Sequence, residues 1–177
     1  ASDLGLELRK RNMHVVADYG VIVDTDAEDL RQYLRTAHRL GAHVVRATLS
    51  NVLCGERRTC AGGWPARLEP CAARLREVLP LAEGLGIAIA VENHQDAATD
   101  DLLRLADMVG NSPAFGITLD TGNPLAMVED PVEAARMLAH LIRHVHLKDY
   151  TIHFAPEGYR LVRCAAGDGV IDFPAIL

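Results

Sequence analysis

The sequence predicts an α/β fold of parallel strands, and within that class a (β/α)8 barrel in preference to an open doubly wound sheet. Three observations predict it. Short runs of β-branched and aliphatic residues alternate with amphipathic helical stretches at a period mostly between 26 and 30 residues. Such alternation requires parallel strands joined by right-handed crossovers. Three of the runs, IAIAVENH, FGITLDTGN and HVHLKDY, each carry an ionisable residue at an equivalent point, Glu92, Asp120 and His146, spaced by 28 and then 26 residues. Finally, no Gly-x-Gly-x-x-Gly follows any strand, which counts against a dinucleotide-binding sheet.

Taken in order, residues 4–13 can form a helix that turns Leu4, Leu8 and Leu6 inward. HVVADYGVIV is a strand running into a loop. Thr25 or Asp26 can cap the next helix, whose Leu30, Tyr33, Leu34, Ala37 and Leu40 recur at helical spacing before Gly41. HVVRATLS is the second strand. Residues 51–64 lose all periodicity and read as a long loop at a strand end, where function often resides. A helix over 65–85 follows, with Leu68, Ala72, Leu75 and Leu79 on one face and Pro80 expected to kink or divide it. Thr99 heads a helix with Asp100 and Asp101 in its first turn, where the backbone dipole favours negative charge. After the strand at Phe115, Asp130 and Pro131 open a helix with Val132, Ala135, Ala139 and Ile142 inside. Gly167-Asp168-Gly169 resembles a phosphate cradle superficially and reads better as a turn into a helix capped by Asp172.

Strand residues alternate sides, one facing the barrel axis and the other the helices. Ile87, Ile89 and Val91 must face helices, which turns Ala90, Glu92 and His94 to the axis. Ile117 and Leu119 likewise leave Thr118 and Asp120 inside, and Val145 and Leu147 leave His144, His146 and Lys148 inside. Two carboxylates and an imidazole thus converge at one end of the sheet. Burying two carboxylates together is costly without a cation, so Glu92, Asp120 and His146 form a candidate site for one divalent metal ion. His94, Lys148 and Asp149 are candidates to support the ligands or to meet substrate. Arg46, on the strand side of Val44 and Thr48, can meet an anionic or hydroxylated substrate or enter a surface ion pair.

At 177 residues the chain suits one domain, 1–177, with one sizeable core. A formal charge of −6 argues against nucleic acid and anionic lipid as partners, and no apolar run reaches the ~20 residues of a membrane span. The first residues have no signal-peptide pattern. Cys54, Cys60, Cys71 and Cys164 form no CxxC pair and read as reduced thiols, so a cytoplasmic location is expected.

V-E-N-H at 91–94, L-D-T-G-N at 119–123, H-x-K-D at 146–149 and G-D-G-x-I-D-F at 167–173 make the chain resemble the xylose isomerase-like TIM barrel superfamily of sugar and sugar phosphate isomerases and epimerases. The resemblance spans roughly residues 15–177. It implies one divalent ion, Mg, Mn or Co with Zn as an alternative, on Glu92, Asp120 and His146. It implies a small sugar or sugar-acid substrate, with pairing of two copies through strand-end loops a common arrangement among such barrels. A complete barrel takes about 250 residues, so the expectation is a partial barrel without its first strands and its last strand. The family's fourth ligand, a glutamate on that last strand, is absent with it, so weak metal affinity and little activity are expected of these residues alone. Many members also carry histidine where this chain has Asn123, a candidate substrate contact.

The implied activity is a metal-dependent isomerase or epimerase working through an enediolate, with Glu92 moving the proton and His94 and Lys148 donating to the developing oxyanion. The alternative is a decarboxylase of a 3-oxo sugar acid, because N-H-Q-D at 93–96 and L-D-T-G-N at 119–123 resemble a subgroup that includes such decarboxylases. An apurinic-site endonuclease fits poorly, given Asn123, Lys148 and the negative charge. A non-catalytic sugar-binding barrel is disfavoured by the intact Glu, Asp and His.

Overall fold

Five parallel strands lie side by side in chain order, β1 (Val15–Val21), β2 (Ala42–Thr48), β3 (Ala88–Glu92), β4 (Phe115–Asp120) and β5 (Ile142–His146). This is a computed structural model, which describes residues 2–22 and 24–177. The crossovers are helical: α1 (Ser2–Lys10) precedes β1, then α2 (Ala27–Leu40), α3 (Pro65–Gly84), α4 (Thr99–Met108), the short α5 (Asn123–Ala126) and α6 (Pro131–Leu138) follow in turn. Asp26, not Thr25, caps α2 by accepting from the Glu28 N–H, and Gly41 closes it at φ 88°. Asp130 accepts from the N–H groups of Val132 and Glu133. Asp101 accepts the Ala98 N–H at the head of α4.

The apolar core lies on the helix side of the sheet. It joins Val45, Ile89, Val91 and Ile117 to Leu30, Leu34, Leu68, Leu75, Leu102, Leu105 and Leu138 from the helices. The opposite side carries Arg46, Ala90, Glu92, Thr118, Asp120 and His146. That division is the one strand alternation predicts.

Several local expectations fail. Leu4 and Leu6 are about half exposed, and α1 instead seats Gly5 on the end of α2, where an added Cβ would lie 2.5 Å from the Arg39 carbonyl oxygen. Pro80 does not divide α3, because the buried Val78, Leu79 and Ala82 on both sides of it hold the helix together. The last long helix stops at Leu138 and a 3-10 turn, Ala139–Leu141, leads into β5. Its inner face is therefore Ala134, Ala135 and Leu138, while Ala139 is exposed and Ile142 opens the strand. The loop over 51–64 contains a 3-10 helix, Cys54–Thr59, and buries Cys60 and Trp64.

After β5 comes an antiparallel hairpin, β6 (Asp149–Ala155) and β7 (Gly158–Cys164), that the sequence reading did not find. Leu147, expected against the helices, lies in the link to it and is 57% exposed. The hairpin folds back over the strand ends. Tyr150 packs so closely on Gly122 that an added Cβ there would stand 2.4 Å from the ring, and the Tyr159 hydroxyl donates to the Leu125 carbonyl. The chain ends in α7 (Phe173–Ile176), capped by Asp172. No helix among the described residues is long and apolar enough to cross a membrane.

Candidate metal centre

Glu92, Asp120 and His146 stand at the C-terminal ends of β3, β4 and β5, on the side away from the helices. Their ligand atoms all lie within 4.8 Å of one another. His146 Nδ1 is 3.6 Å from Glu92 Oε1 and 3.8 Å from Asp120 Oδ2. Donors bound to one ion at about 2.0–2.2 Å stand roughly 3–3.6 Å apart, so a small contraction closes the group on a single ion. Both carboxylates are buried, Glu92 at 1% and Asp120 at 0% exposure.

Asp120 accepts hydrogen bonds through one oxygen, whereas both oxygens of Glu92 accept them. Asp120 Oδ1 accepts the backbone N–H groups of Gly122 and Asn123, while Oδ2 is buried with no hydrogen-bond partner. Lys148 Nζ lies 2.6 Å from Oδ2, outside hydrogen-bonding geometry, so the contact is one of charge. Glu92 Oε2 accepts from Arg46 through Nε and Nη2. Arg46 Nη1 reaches Asp18 Oδ1 at 2.9 Å. Burial alone would lower the Arg46 pKa; its bonds to Asp18 and Glu92 outweigh this and hold it above the ordinary value. Asn123 Nδ2 donates to Glu92 Oε1 at 3.2 Å, and Asn123 Oδ1 is buried without a partner.

A buried carboxylate oxygen held only by an ion pair and facing an imidazole and a second carboxylate is a donor set suited to a divalent cation, and the residues present fit one. The seven predicted site residues do not all meet, however. Glu92, Asp120, His146, Lys148, Asn123 and Arg46 converge, and Arg46 sits in a largely buried ion pair rather than a surface one. His94 makes no hydrogen bond or ion pair to the three ligand candidates among the described residues. Its Nδ1 is buried without a partner, and it acts electrostatically on Asp96. Burial raises the Asp96 pKa, against the opposing pull of the Ser50 hydroxyl and N–H and of His94. His144 packs edge-on to His146 and is lowered by burial and by that neighbour.

One supporting residue escaped the sequence reading. Asn93 points away from the axis, yet its amide pairs with both backbone groups of Asp120, accepting from N–H at 2.6 Å and donating to C=O at 3.1 Å. Its place in V-E-N-H was the available signal. Asp149, a sequence candidate to support the ligands or to meet substrate, touches none of the three ligand candidates; its carboxylate accepts the N–H groups of Tyr150, Gly167, Gly169 and Ile171. Burial would raise its pKa, but those four bonds win and hold it below the usual value. The Gly-Asp-Gly turn is thus a cradle for an internal carboxylate.

A family model described as xylose isomerase-like TIM barrel matches residues 13–177. The chain belongs to the xylose isomerase-like TIM barrel family. Among curated relatives of this family, 3-oxo-isoapionate decarboxylase of Pectobacterium atrosepticum is 29% identical over 180 residues, covering 99% of the chain and 57% of that enzyme. The chain thus spans little more than half the length of that relative. The structure of an L-ribulose 3-epimerase superposes with a TM-score of 0.75 at 20% identity, over 99% of this chain and 60% of that one. A xylose isomerase-like TIM barrel protein from Mycobacterium smegmatis, solved in complex with magnesium, superposes with a TM-score of 0.67 at 22% identity, over 96% and 63%. At these identities the structural matches establish the fold. The decarboxylase and the epimerase are enzymes.

Proposed function

We propose that the chain provides the metal-binding half of a divalent-metal-dependent enzyme acting on a small sugar or sugar acid, as an isomerase or epimerase. The observation that carries the reading is the Glu92, Asp120 and His146 cluster, whose ligand atoms all lie within 4.8 Å of one another. A relative bound to magnesium supports the class of cation. Glu92, Asp120 and His146 would hold the ion, and when bound it supplies Lewis-acid stabilisation of charge developing on adjacent substrate oxygens.

The chain's own residues do the rest. Arg46 and Asn123 fix the two oxygens of Glu92, which sets the direction in which it can accept a proton from a substrate carbon. Lys148 brings an ammonium to the mouth of the site, able to face an anionic substrate oxygen. Asn123 Oδ1 offers an acceptor to a substrate hydroxyl.

Loss of carbon dioxide from a 3-oxo sugar acid is the second reading, favoured by the decarboxylase relative that matches 99% of the chain. It uses the same residues, since breaking the carboxylate bond leaves negative charge on the same oxygens. The test is turnover of full-length, manganese-loaded protein against ketoses and 3-oxo sugar acids, reading solvent-deuterium incorporation and carbon dioxide release. Glu92→Gln should lower turnover by about 10³-fold or more, from lost proton transfer and a weakened ligand. Unchanged turnover in that variant sinks both readings.

A further inference from the structure

The two cations on the buried carboxylates stand on different kinds of oxygen. Arg46 grips Glu92 through Oε2 and leaves Oε1 turned toward His146. Its other end is held by Asp18, so the guanidinium is fixed on both sides. Lys148 stands instead on Asp120 Oδ2, the oxygen that faces His146, while Oδ1 is taken by backbone N–H groups. Arg46 can therefore stay where it is when the three ligand atoms close on one ion. Lys148 competes with the ion for Oδ2, because an ammonium and a divalent ion sharing one carboxylate oxygen repel each other.

We infer that Lys148 is a resident counter-cation of the metal-free site. Its ammonium neutralises Asp120 until a divalent ion takes Oδ2, and it is then turned into the cleft to meet an anionic substrate oxygen. The backbone is prepared for such a pivot. Thr121 Oγ1 accepts the Lys148 N–H at 2.9 Å and donates to its C=O at 2.8 Å, so the main chain is pinned. The side chain is 27% exposed, and its four-carbon stem gives the ammonium room to swing.

Charge counting shows what the exchange achieves. Among the described residues and without metal, Glu92 and Asp120 are balanced by Arg46 and Lys148, so −2 + 2 leaves this buried group neutral; Asp18, at 67% exposure, is screened by solvent. With a divalent ion the sum becomes −2 + 2 + 2, or +2, and Lys148 is no longer committed to Asp120. Metal binding thus makes the cleft attractive to an anion, which favours a sugar acid over a neutral sugar. The inference rests on the metal-dependent reading above.

The experiment measures Mn²⁺ affinity of the metal-stripped full-length protein. Lys148→Met should bind Mn²⁺ about tenfold or more tightly than wild type, having lost a competing charge, and its metal-free form should melt earlier. Lys148→Arg keeps the charge and should stay within about threefold of wild type. Arg46→Met should weaken binding, because Arg46 positions a ligand without competing for its free oxygen. Should Lys148→Met not fold, the wild type answers alone. The chain has two lysines, and the exposed Lys10 serves as reference. Acylation of Lys148 relative to Lys10, read by mass spectrometry, should rise when Mn²⁺ is added, since the ion pair that restricts the amine is broken. Unchanged or slower Lys148 labelling, or equal or weaker affinity in Lys148→Met, overturns the inference alone. Failure of the wild type to bind Mn²⁺ overturns the proposed function and this inference with it.

Discussion

Replacing Asp149 by Asn keeps the side chain's shape and removes its charge, which isolates what the carboxylate does for the turn around Gly167. The wild-type Oδ1 accepts from Tyr150 and Ile171, and Oδ2 from Gly167 and Gly169. An asparagine can present its oxygen to only one pair, leaving its amide N–H atoms against two buried backbone donors. Two charge-assisted bonds are lost at about 1.5–3 kcal/mol each, or roughly 3–6 kcal/mol. Local opening of the turn limits the observable cost to the lower part of that range. For a domain of this size about 3 kcal/mol corresponds to a fall of roughly 6–12 °C in Tm. The pH dependence gives an independent check. The folded-state pKa of Asp149 lies below its ordinary 3.8, so its stabilisation is full above that value and is lost as pH falls through the folded-state pKa. Thermal melts of both proteins should therefore differ most at neutral pH and converge in acid. A loss under about 1 kcal/mol at pH 7, or a gap that persists unchanged at the acid end, refutes the reasoning.

Other outcomes follow from single contacts. Gly169→Ala places a Cβ 2.1 Å from Asp149 Oδ1 and 2.5 Å from the Tyr150 carbonyl oxygen, and should cost about 1–3 kcal/mol in chemical denaturation. Combined with Asp149→Asn it should cost less than the sum, since both act on one turn; strict additivity would show that they do not. Burial and Asp96 push the Cys71 thiol up to about 12, so alkylation at pH 8 should modify the exposed Cys54 first and leave Cys71 untouched until the protein unfolds. Equal labelling rates of the two thiols in the folded protein would contradict that burial.

The parts of the fold legible in the sequence are those with a strict period. Strands of alternating composition showed which side Glu92, Asp120 and His146 take, and the helix-length intervals between them showed that the strands are parallel. What escaped depends on pairings that no local period encodes. Asn93 faces the helix side and reads as a core position, yet a neighbouring strand supplies both partners for its amide. Asp149 and the Gly-Asp-Gly turn lie about 20 residues apart, and only the folded chain shows that one wraps the other. The hairpin did carry a signal: Tyr150, Ile152 and Phe154 alternate, as do Tyr159 and Leu161, around Pro156-Glu157-Gly158. Its tip is solvent-exposed, with Phe154 at 88%, so it lacks the buried face that makes strands conspicuous. Pro80 shows the converse case, a strong local signal overruled by burial on both sides of it.

Strand register explains why the site residues meet at all. Following hydrogen-bonded partners across the sheet leads from Asp18 to Arg46, then to Ala90 and Gly116, and never reaches the ligands. Glu92 lies two residues beyond Ala90, the partner of Arg46, and Asp120 two beyond Thr118, the partner of Glu92. His146 is level with Asp120. From Asp18 to His146 the functional line therefore climbs four residues over four strand pairings. An eight-stranded barrel with a shear of eight requires about one residue of climb per strand. A flat, unstaggered sheet would leave Arg46, Glu92 and Asp120 at different heights. Strands tilted for closure bring them to one level, with Arg46 on Glu92 and Glu92 beside His146. The same tilt that shapes the barrel brings the candidate metal ligands together.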